Sequence, residues 1–491
     1  MNRNGLLLLL ISALLLPGLN QAFRSDEVWS LHAVALPFSA MLEHLRADIH
    51  PPLYYVLLKP WTAVAGASEA AVRSLSVLLH LLAGLTIFLG TRRRLGSATA
   101  ALCAAIFLSS PLGILAAQLA RMYALLELTA AIALVFWLRI ADHSEEGPPR
   151  RGDLAIFVVA NIAGTFTHIW FFFLLAGIAV AHLTLWRTRR LGWMMAAAAA
   201  SILPWAVLWL PIMLRQTGHT ADNLAWLRPP TLSAPVEVAL LQGGVAWLMV
   251  GAALLASRRR PEVHTASLLL WLSALLIPFG LSLVAQPVFW ARFTVVALPA
   301  FSIAAGSLIA ARIPPTTALT ALVILASLFT AGQHAVKSDQ CDARWTAAWL
   351  AGHARPGDAV VFTNLSRLPV DHYWKNPLEI SERSLPGVID QHPGFEGRVS
   401  SGSLRAEAEE TASRLVRSHA GGRLYLLHAF RPELHRALTE TFDRHFRRDK
   451  ASCLKCLAML SYYDEISVWN IPASAEPAER ADGAGGPGNP L

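Results

Sequence analysis

Residues 51–65 read Pro-Pro-Leu-Tyr-Tyr-Val-Leu-Leu-Lys-Pro-Trp-Thr-Ala-Val-Ala, and whether this stretch crosses a membrane decides the topology of everything after it. Its apolar part, Leu53 to Ala65, is shorter than the roughly 20 residues a helix needs to span a bilayer core. It opens on Pro51-Pro52 and carries Lys59-Pro60 at its middle, so a spanning helix would bury both a charge and a helix breaker. The stretch therefore reads as a helix lying in the interface, with Tyr54, Tyr55 and Trp61 as an aromatic belt. The crossing that follows is then Val72 to Gly90, which stops on Arg92-Arg93-Arg94.

Working outward from that decision, a first apolar segment runs from Gly5 to Phe23. Later spans fall at about 97 to 117, 122 to 140, 154 to 168, 169 to 186, 192 to 213, 235 to 257, 264 to 285, 293 to 311 and 316 to 334. With the amino terminus inside, the links carrying Arg92 to Arg94, Arg150-Arg151, Arg187 with Arg189-Arg190, Arg258 to Arg260 and Arg312 all fall on the cytoplasmic side. The result is a polytopic α-helical membrane protein with about eleven transmembrane helices. Composition agrees: 54% of the 491 residues are hydrophobic, 15% are charged, and the mean hydropathy is +0.45. The net charge of +8 sits in short arginine runs between apolar stretches, which marks topology rather than a nucleic-acid surface. The first segment also resembles a secretion signal, but no small-x-small site precedes Phe23, so it is expected to be retained.

The texture changes near residue 335. Segments 344–353, 404–418 and 432–446 read as helices, 356–363 as a turn feeding a strand, and 423–428 and 466–471 as strands, giving a small C-terminal α/β domain on the extracytoplasmic side over 335–471. No glycine-rich phosphate loop follows its strands, which argues against nucleotide binding. Residues 472–491, rich in Ala, Gly, Pro and Glu, are expected to be disordered. Cys453 and Cys456 form a C-x-x-C for which a disulfide or two thiols are expected ahead of a metal site, with Cys341 as an odd partner and Cys103 as a small core residue.

The topology assigns residues 1–334 to the membrane domain and gathers one constellation on its outer side. Asp26-Glu27 lies just beyond the first span, and Asp48-Ile-His50-Pro-Pro closes the same loop of residues 24–71. Carboxylates kept at a membrane boundary suggest chemistry performed there. Sugar transfer from a lipid-linked phosphate needs a carboxylate to take the acceptor's proton and cations to hold the leaving phosphate. Asp26 or Asp48 can be that base, and Arg121, Arg292, Arg73, His50 and Lys59 can serve the phosphate, arginine being the better geometric match. Simpler roles compete: Asp48 as an N-cap, Arg121 and Arg292 as interfacial anchors, His168 as a packed histidine in an aromatic run.

In order along the chain stand Asp26-Glu27, His50-Pro-Pro-Leu-Tyr-Tyr55, Val72-Arg73-Ser74, Ala120-Arg121-Met122-Tyr123, and Ala291-Arg292-Phe293 before Pro299. This set, spread over residues 5–312, resembles the GT-C superfamily of polyprenyl-phosphate-sugar-dependent glycosyltransferases, nearest to the bacterial relatives of protein O-mannosyltransferases and lipid A aminoarabinose transferases. The soluble tail from Arg344-Trp345 is also similar to that of some bacterial members. The resemblance implies a multi-pass protein of the bacterial inner membrane. It implies Asp26 as general base or acceptor-orienting carboxylate, Glu27 as its neighbour, and Arg121 and Arg292 at the donor phosphate, while Asp48 stays a candidate catalytic carboxylate from the loop itself. His50, Tyr54, Lys59, Arg73 and Tyr123 complete the expected substrate-binding set.

Two positions depart from that pattern: His50 stands where many relatives have lysine, and Met122-Tyr123 where many have an aspartate after the arginine. The expected partners are a polyprenyl-phosphate-linked sugar, membrane lipids, and a lipid, glycan or protein acceptor, with no nucleic acid. No cofactor is required, although Asp48 and His50 leave a divalent metal site open. The rival classes are a flippase or transporter of lipid-linked sugars, for which matching halves and midplane polar groups are expected and not found, and a non-catalytic envelope scaffold.

Overall fold

A computed structural model describes residues 3–47, 50–141, 147–186, 190–215, 227–254, 262–336, 342–363, 366–376, 378, 380–390, 399–428, 432–455 and 465–473. The chain divides into two compact units, Met1–Lys337 and Ser338–Leu491.

The first unit is helical. Its early elements are α1 (Arg3–Ser12), α2 (Ser25–Ala35), α3 (Phe38–Ala47), α4 (Leu53–Ala65), α5 (Glu69–Leu95), α6 (Ser97–Leu108), α7 (Pro111–Ala117), α8 (Tyr123–Ile140), α9 (Arg151–Thr165), α10 (Phe171–Leu185) and α11 (Leu191–Leu208). Helix α5 shows how the sequence writes its own ends. Ser68 caps it by accepting from the amide of Ala71, Glu69 and Arg92 to Arg94 complement the dipole at the two ends, and Gly96 takes φ +80° just past the last turn.

Five helices are long and apolar enough to cross a membrane, and seven if each bent pair is one span. The bends are 66° between α6 and α7 and 103° between Ala234–Gly243 and Ala246–Leu254. At the first, Ser110 caps α7 by accepting from the Gly113 amide, with Pro111 opening the new helix. At the second, Gly244 adopts φ +49°, and a Cβ there would meet Pro111 at 2.7 Å, so glycine serves both the turn and the close approach. Shorter apolar helices at 4–15, 171–185 and 315–329, together with α9, fill the remaining expected spans. The first is shorter than its expected extent of 5 to 23: regular helix gives out by Leu15, and Pro17-Gly18 turns the chain beneath Gln118.

Helix Leu298–Ala310 runs almost wholly buried through the unit. Its small residues let neighbouring backbones close in, and a Cβ at Gly306 would sit 2.5 Å from the Cys103 sulfur. Deep between α5 and α8, the wholly buried His80 and Glu127 meet at 2.7 Å, Nδ1 to Oε2. Helix α4 buries Tyr54, Tyr55 and Leu58 on one face while Val64 is 90% exposed.

The second unit holds a six-stranded sheet of β1 (Ala359–Phe362), β2 (Ser381–Ser384), β3 (Arg423–His428), β4 (Arg447–Arg448), β5 (Leu454–Lys455) and β6 (Glu465–Asn470), in the order β2-β1-β3-β6-β4 with β5 also on β6. Strand β1 runs parallel to β2 and β3, and β6 runs antiparallel to β3. Helices Ser401–Ser418 and Pro432–His445 cover it, packing Leu404, Ala408, Leu438 and Phe442 against Val361, Leu426 and Trp469. Strand β2 and helix Arg367–Tyr373 have no counterpart among the sequence expectations, because Ser-Glu-Arg-Ser at an edge carries no apolar alternation. Cys341, Cys456 and residues 474–491 lie outside the described residues.

Candidate active site

The first turn of α2 carries both acids of the Asp26-Glu27 pair, and they point into different environments. Glu27 is fully buried. Its Oε1 accepts from Arg73 Nε at 2.8 Å and from the Ala120 amide at 2.9 Å, and its Oε2 accepts from Arg73 Nη2 at 2.7 Å and from the Arg24 amide at 3.0 Å. The Arg73 guanidinium also donates to the carbonyls of Gly18, Leu19, Gln21 and Ala22, where the chain turns after α1. Both charges are neutralised and hydrogen-bonded, the condition under which a buried ion pair persists.

Asp26 faces the opposite way. Its Oδ2 lies 3.2 Å from Arg292 Nη1, each side chain being 24% exposed, and its Oδ1 has no hydrogen-bond partner among the described residues. Arg121, 4% exposed, donates from Nη1 to the Asp26 carbonyl at 3.2 Å, to Ser30 Oγ at 3.2 Å and to the Tyr55 hydroxyl at 3.1 Å. Burial pushes the Asp26 carboxyl up, but Arg292, then Arg121 and Arg24, outweigh it and leave it below the ordinary carboxylate value. The carboxylate thus has one oxygen on Arg292 and one without a partner among the described residues, with Arg121 held on the same residue's backbone.

Arg292 is delivered by a 3-10 segment, Ala291–Ala297, at the head of helix Leu298–Ala310. That segment is held by buried Gln242, whose Nε2 donates to the Thr294 carbonyl at 3.0 Å and to Thr294 Oγ1 at 3.1 Å, while Trp271 Nε1 donates to Gln242 Oε1 at 2.6 Å. A fully satisfied polar network of this kind fixes one geometry.

No family model and no curated protein matches the sequence. Among solved structures, ArnT from Cupriavidus metallidurans bound to undecaprenyl phosphate aligns over 96% of this chain and 99% of its own, with 15% identity and a TM-score of 0.57. The apo state of the same ArnT gives 13% identity and a TM-score of 0.60, over 96% of this chain and 98% of that one. The chain has the GT-C fold.

In this GT-C fold several residues expected at the substrate are engaged elsewhere. Glu27 and Arg73 spend their polar atoms on each other and on backbone, so neither is available to acceptor or phosphate. Lys59 turns toward backbone: its Nζ donates to the carbonyls of Val34 at 2.8 Å and Leu36 at 2.5 Å, a cation placed on the C-terminal end of α2. Tyr54 turns its hydroxyl to Ser76 at 3.3 Å, and burial holds that hydroxyl well above its usual range. Successive helical residues point about 100° apart, so its neighbour Tyr55, read from sequence as part of an interfacial belt, is the one that reaches Arg121.

Tyr123 is nearly buried, its ring 6.4 Å from Phe293 and 6.3 Å from His168. The partly buried His50 lies 5.8 Å from His168, ring to ring. Asp48 lies outside the described residues. No three His, Cys, Asp or Glu side chains converge on one point among those that are described. Ser30 and Gln242, which sequence reasoning passed over, and Tyr55 and Phe293, quoted there without a site role, join this cluster through tertiary contact, and only the phase of α2 and α4 carried any signal of it.

The Asp26 geometry has a pH consequence. Activity that needs the ionised carboxylate is lost as pH falls through its depressed pKa, so the acid limb of kcat against pH lies below the ordinary aspartate range in the wild type. Arg292→Gln removes the strongest opposing charge and leaves burial in place, which moves that limb upward. A profile recorded at saturating donor checks it; an unmoved acid limb means that Asp26 is not the titrating group.

Proposed function

We propose that this chain is a membrane glycosyltransferase that moves a sugar from a polyprenyl-phosphate donor to a hydroxyl acceptor at the extracytoplasmic face of the bacterial inner membrane. The observation that carries the reading is the unpartnered Oδ1 of an ionised Asp26, held by Arg292 at 3.2 Å with Arg121 bonded to the same residue's carbonyl. The GT-C fold supports it, as does the undecaprenyl phosphate that the similar ArnT structure binds.

The reaction is an inverting single displacement. The acceptor hydroxyl hydrogen-bonds to Asp26 Oδ1, and its oxygen attacks the anomeric carbon from the face opposite the phosphate. The C–O bond to phosphate breaks as the new glycosidic bond forms, and the proton passes to the carboxylate. The leaving group departs as a polyprenyl phosphate anion and needs no proton. Arg121 and Arg292 stabilise the charge that gathers on it, where partial exclusion of water strengthens each contact. A base with a lowered pKa suits this chemistry, since proton transfer trails bond formation to an already activated carbon. No metal enters this reading. The acceptor is a lipid, a glycan or a protein, and the arginine-rich links lie on the cytoplasmic side.

The testing experiment is mass spectrometry of envelope glycans and lipids from cells with and without the protein. One missing sugar, restored by the wild-type chain and not by a chain lacking the Asp26 carboxylate, is the expected result. Identical profiles in all three overturn it.

A further inference from the structure

His168 sits in the turn between α9 and α10, 3% exposed, in an aromatic run that by sequence looks like simple packing. Its two ring nitrogens have different fates. Nδ1 accepts from the Trp170 amide at 3.1 Å and its carbonyl accepts from the Phe171 amide, so one edge of the residue ties down the start of α10. Nε2, on the far edge, is buried with no hydrogen-bond partner among the described residues. A ring nitrogen that accepts from an amide carries no proton of its own, so the ring is neutral. With Nδ1 acting as acceptor, the single ring proton is on Nε2.

The ring lies among residues of the proposed donor site. Centre to centre, the His50 ring is 5.8 Å away, Tyr123 6.3 Å and Phe293 4.9 Å, and Phe293 follows Arg292 directly. Side chains from four segments meet around this ring, Tyr123 two residues from Arg121 among them, and the ring itself brings an N–H with no partner among the described residues. Buried donors left unmatched are costly, which points to a ligand atom as the missing acceptor.

We propose that the Nε2–H of His168 donates a hydrogen bond to a phosphate oxygen of the polyprenyl-phosphate donor, making His168 a substrate-binding residue beside Arg121. The inference rests on the glycosyltransferase reading above and adds a neutral, directional contact to a site otherwise built from charge. Arg121 draws the anion in; His168 fixes which oxygen faces it.

The two ring nitrogens can be replaced one at a time. Asparagine carries its amide where Nδ1 lies, so H168N keeps an acceptor for the Trp170 amide and loses the distant donor. Glutamine carries its amide where Nε2 lies, so H168Q keeps the donor and loses the tie to α10. Binding of undecaprenyl phosphate to the full-length protein in micelles, followed by native mass spectrometry, is expected to be within about three-fold of wild type for H168Q and about ten-fold weaker for H168N. Undecaprenol, which lacks the phosphate, is expected not to distinguish the three proteins.

Melting temperatures of the unliganded proteins accompany the titrations. Wild-type affinity in H168N overturns the inference, and so does a folded H168Q that binds as weakly as H168N, since either result leaves His168 a packing residue only. If H168N does not fold, H168Q alone decides on the same three-fold criterion. A wild-type chain that fails to bind undecaprenyl phosphate at all overturns the donor assignment itself, and that outcome is distinct from a defect confined to H168N.

Discussion

Asp26→Asn is expected to leave the protein folded and membrane-inserted and to reduce sugar transfer by about 10²–10⁴-fold. The substitution keeps shape and keeps an oxygen that can accept from Arg292, so the 3.2 Å contact need not open. What it removes is the ability to take a proton and the negative charge that faces two guanidiniums. Donor binding should therefore survive, since Arg121 and Arg292 lose an internal competitor for their charge. The measurement is single-turnover transfer from a labelled lipid-linked sugar, run beside a donor-binding titration. Full turnover in the variant removes Asp26 from the chemistry; loss of both binding and melting temperature makes it a structural acid instead.

Replacing either member of the Glu27–Arg73 pair has the opposite signature. Glu27→Ala strands a guanidinium that is 2% exposed, and Arg73→Ala strands a carboxylate with no exposure at all. Each is expected to cost about 3–5 kcal/mol of stability, because the survivor is a buried charge without its counter-ion. Set against a typical total of about 5–15 kcal/mol, such a loss leaves little folded protein. Thermal denaturation in detergent reads it directly. A variant that melts with the wild type and yet is inactive would return Glu27 or Arg73 to the substrate.

The two acids of one dipeptide thus separate into chemistry and architecture, which marks the limit of what was legible in the sequence. The Pro51-Pro52 opening and the Lys59-Pro60 interior were enough to keep α4 from being counted as a span, and the apolar stretches locate the helices. Both are local signals. Arg73 and Glu27 lie 46 residues apart, and Asp26 and Arg292 lie 266 apart, so which cation each acid takes is fixed only when helices pack. Lys59 looked like a phosphate ligand because a lone lysine near a boundary has that chemistry; the C-terminal carbonyls of α2 claimed it first. Tyr54 and Tyr55 are chemically identical in a string of letters and differ only in helical phase. His80 and Glu127 went unnoticed because one polar residue within a long apolar stretch leaves little mark on hydropathy.

Because Glu27 grips both Arg73 and the Ala120 amide, the helix that bears the carboxylate and the loop that bears Arg121 travel as one body. The polar apparatus is assembled before any substrate is met, and no flap has to shut to bring acid and guanidinium into register. On the glycosyltransferase reading, a site already in register leaves entry of the lipid from the bilayer as a step that assembly does not speed, and transfer is expected to respond to the thickness and fluidity of the surrounding membrane.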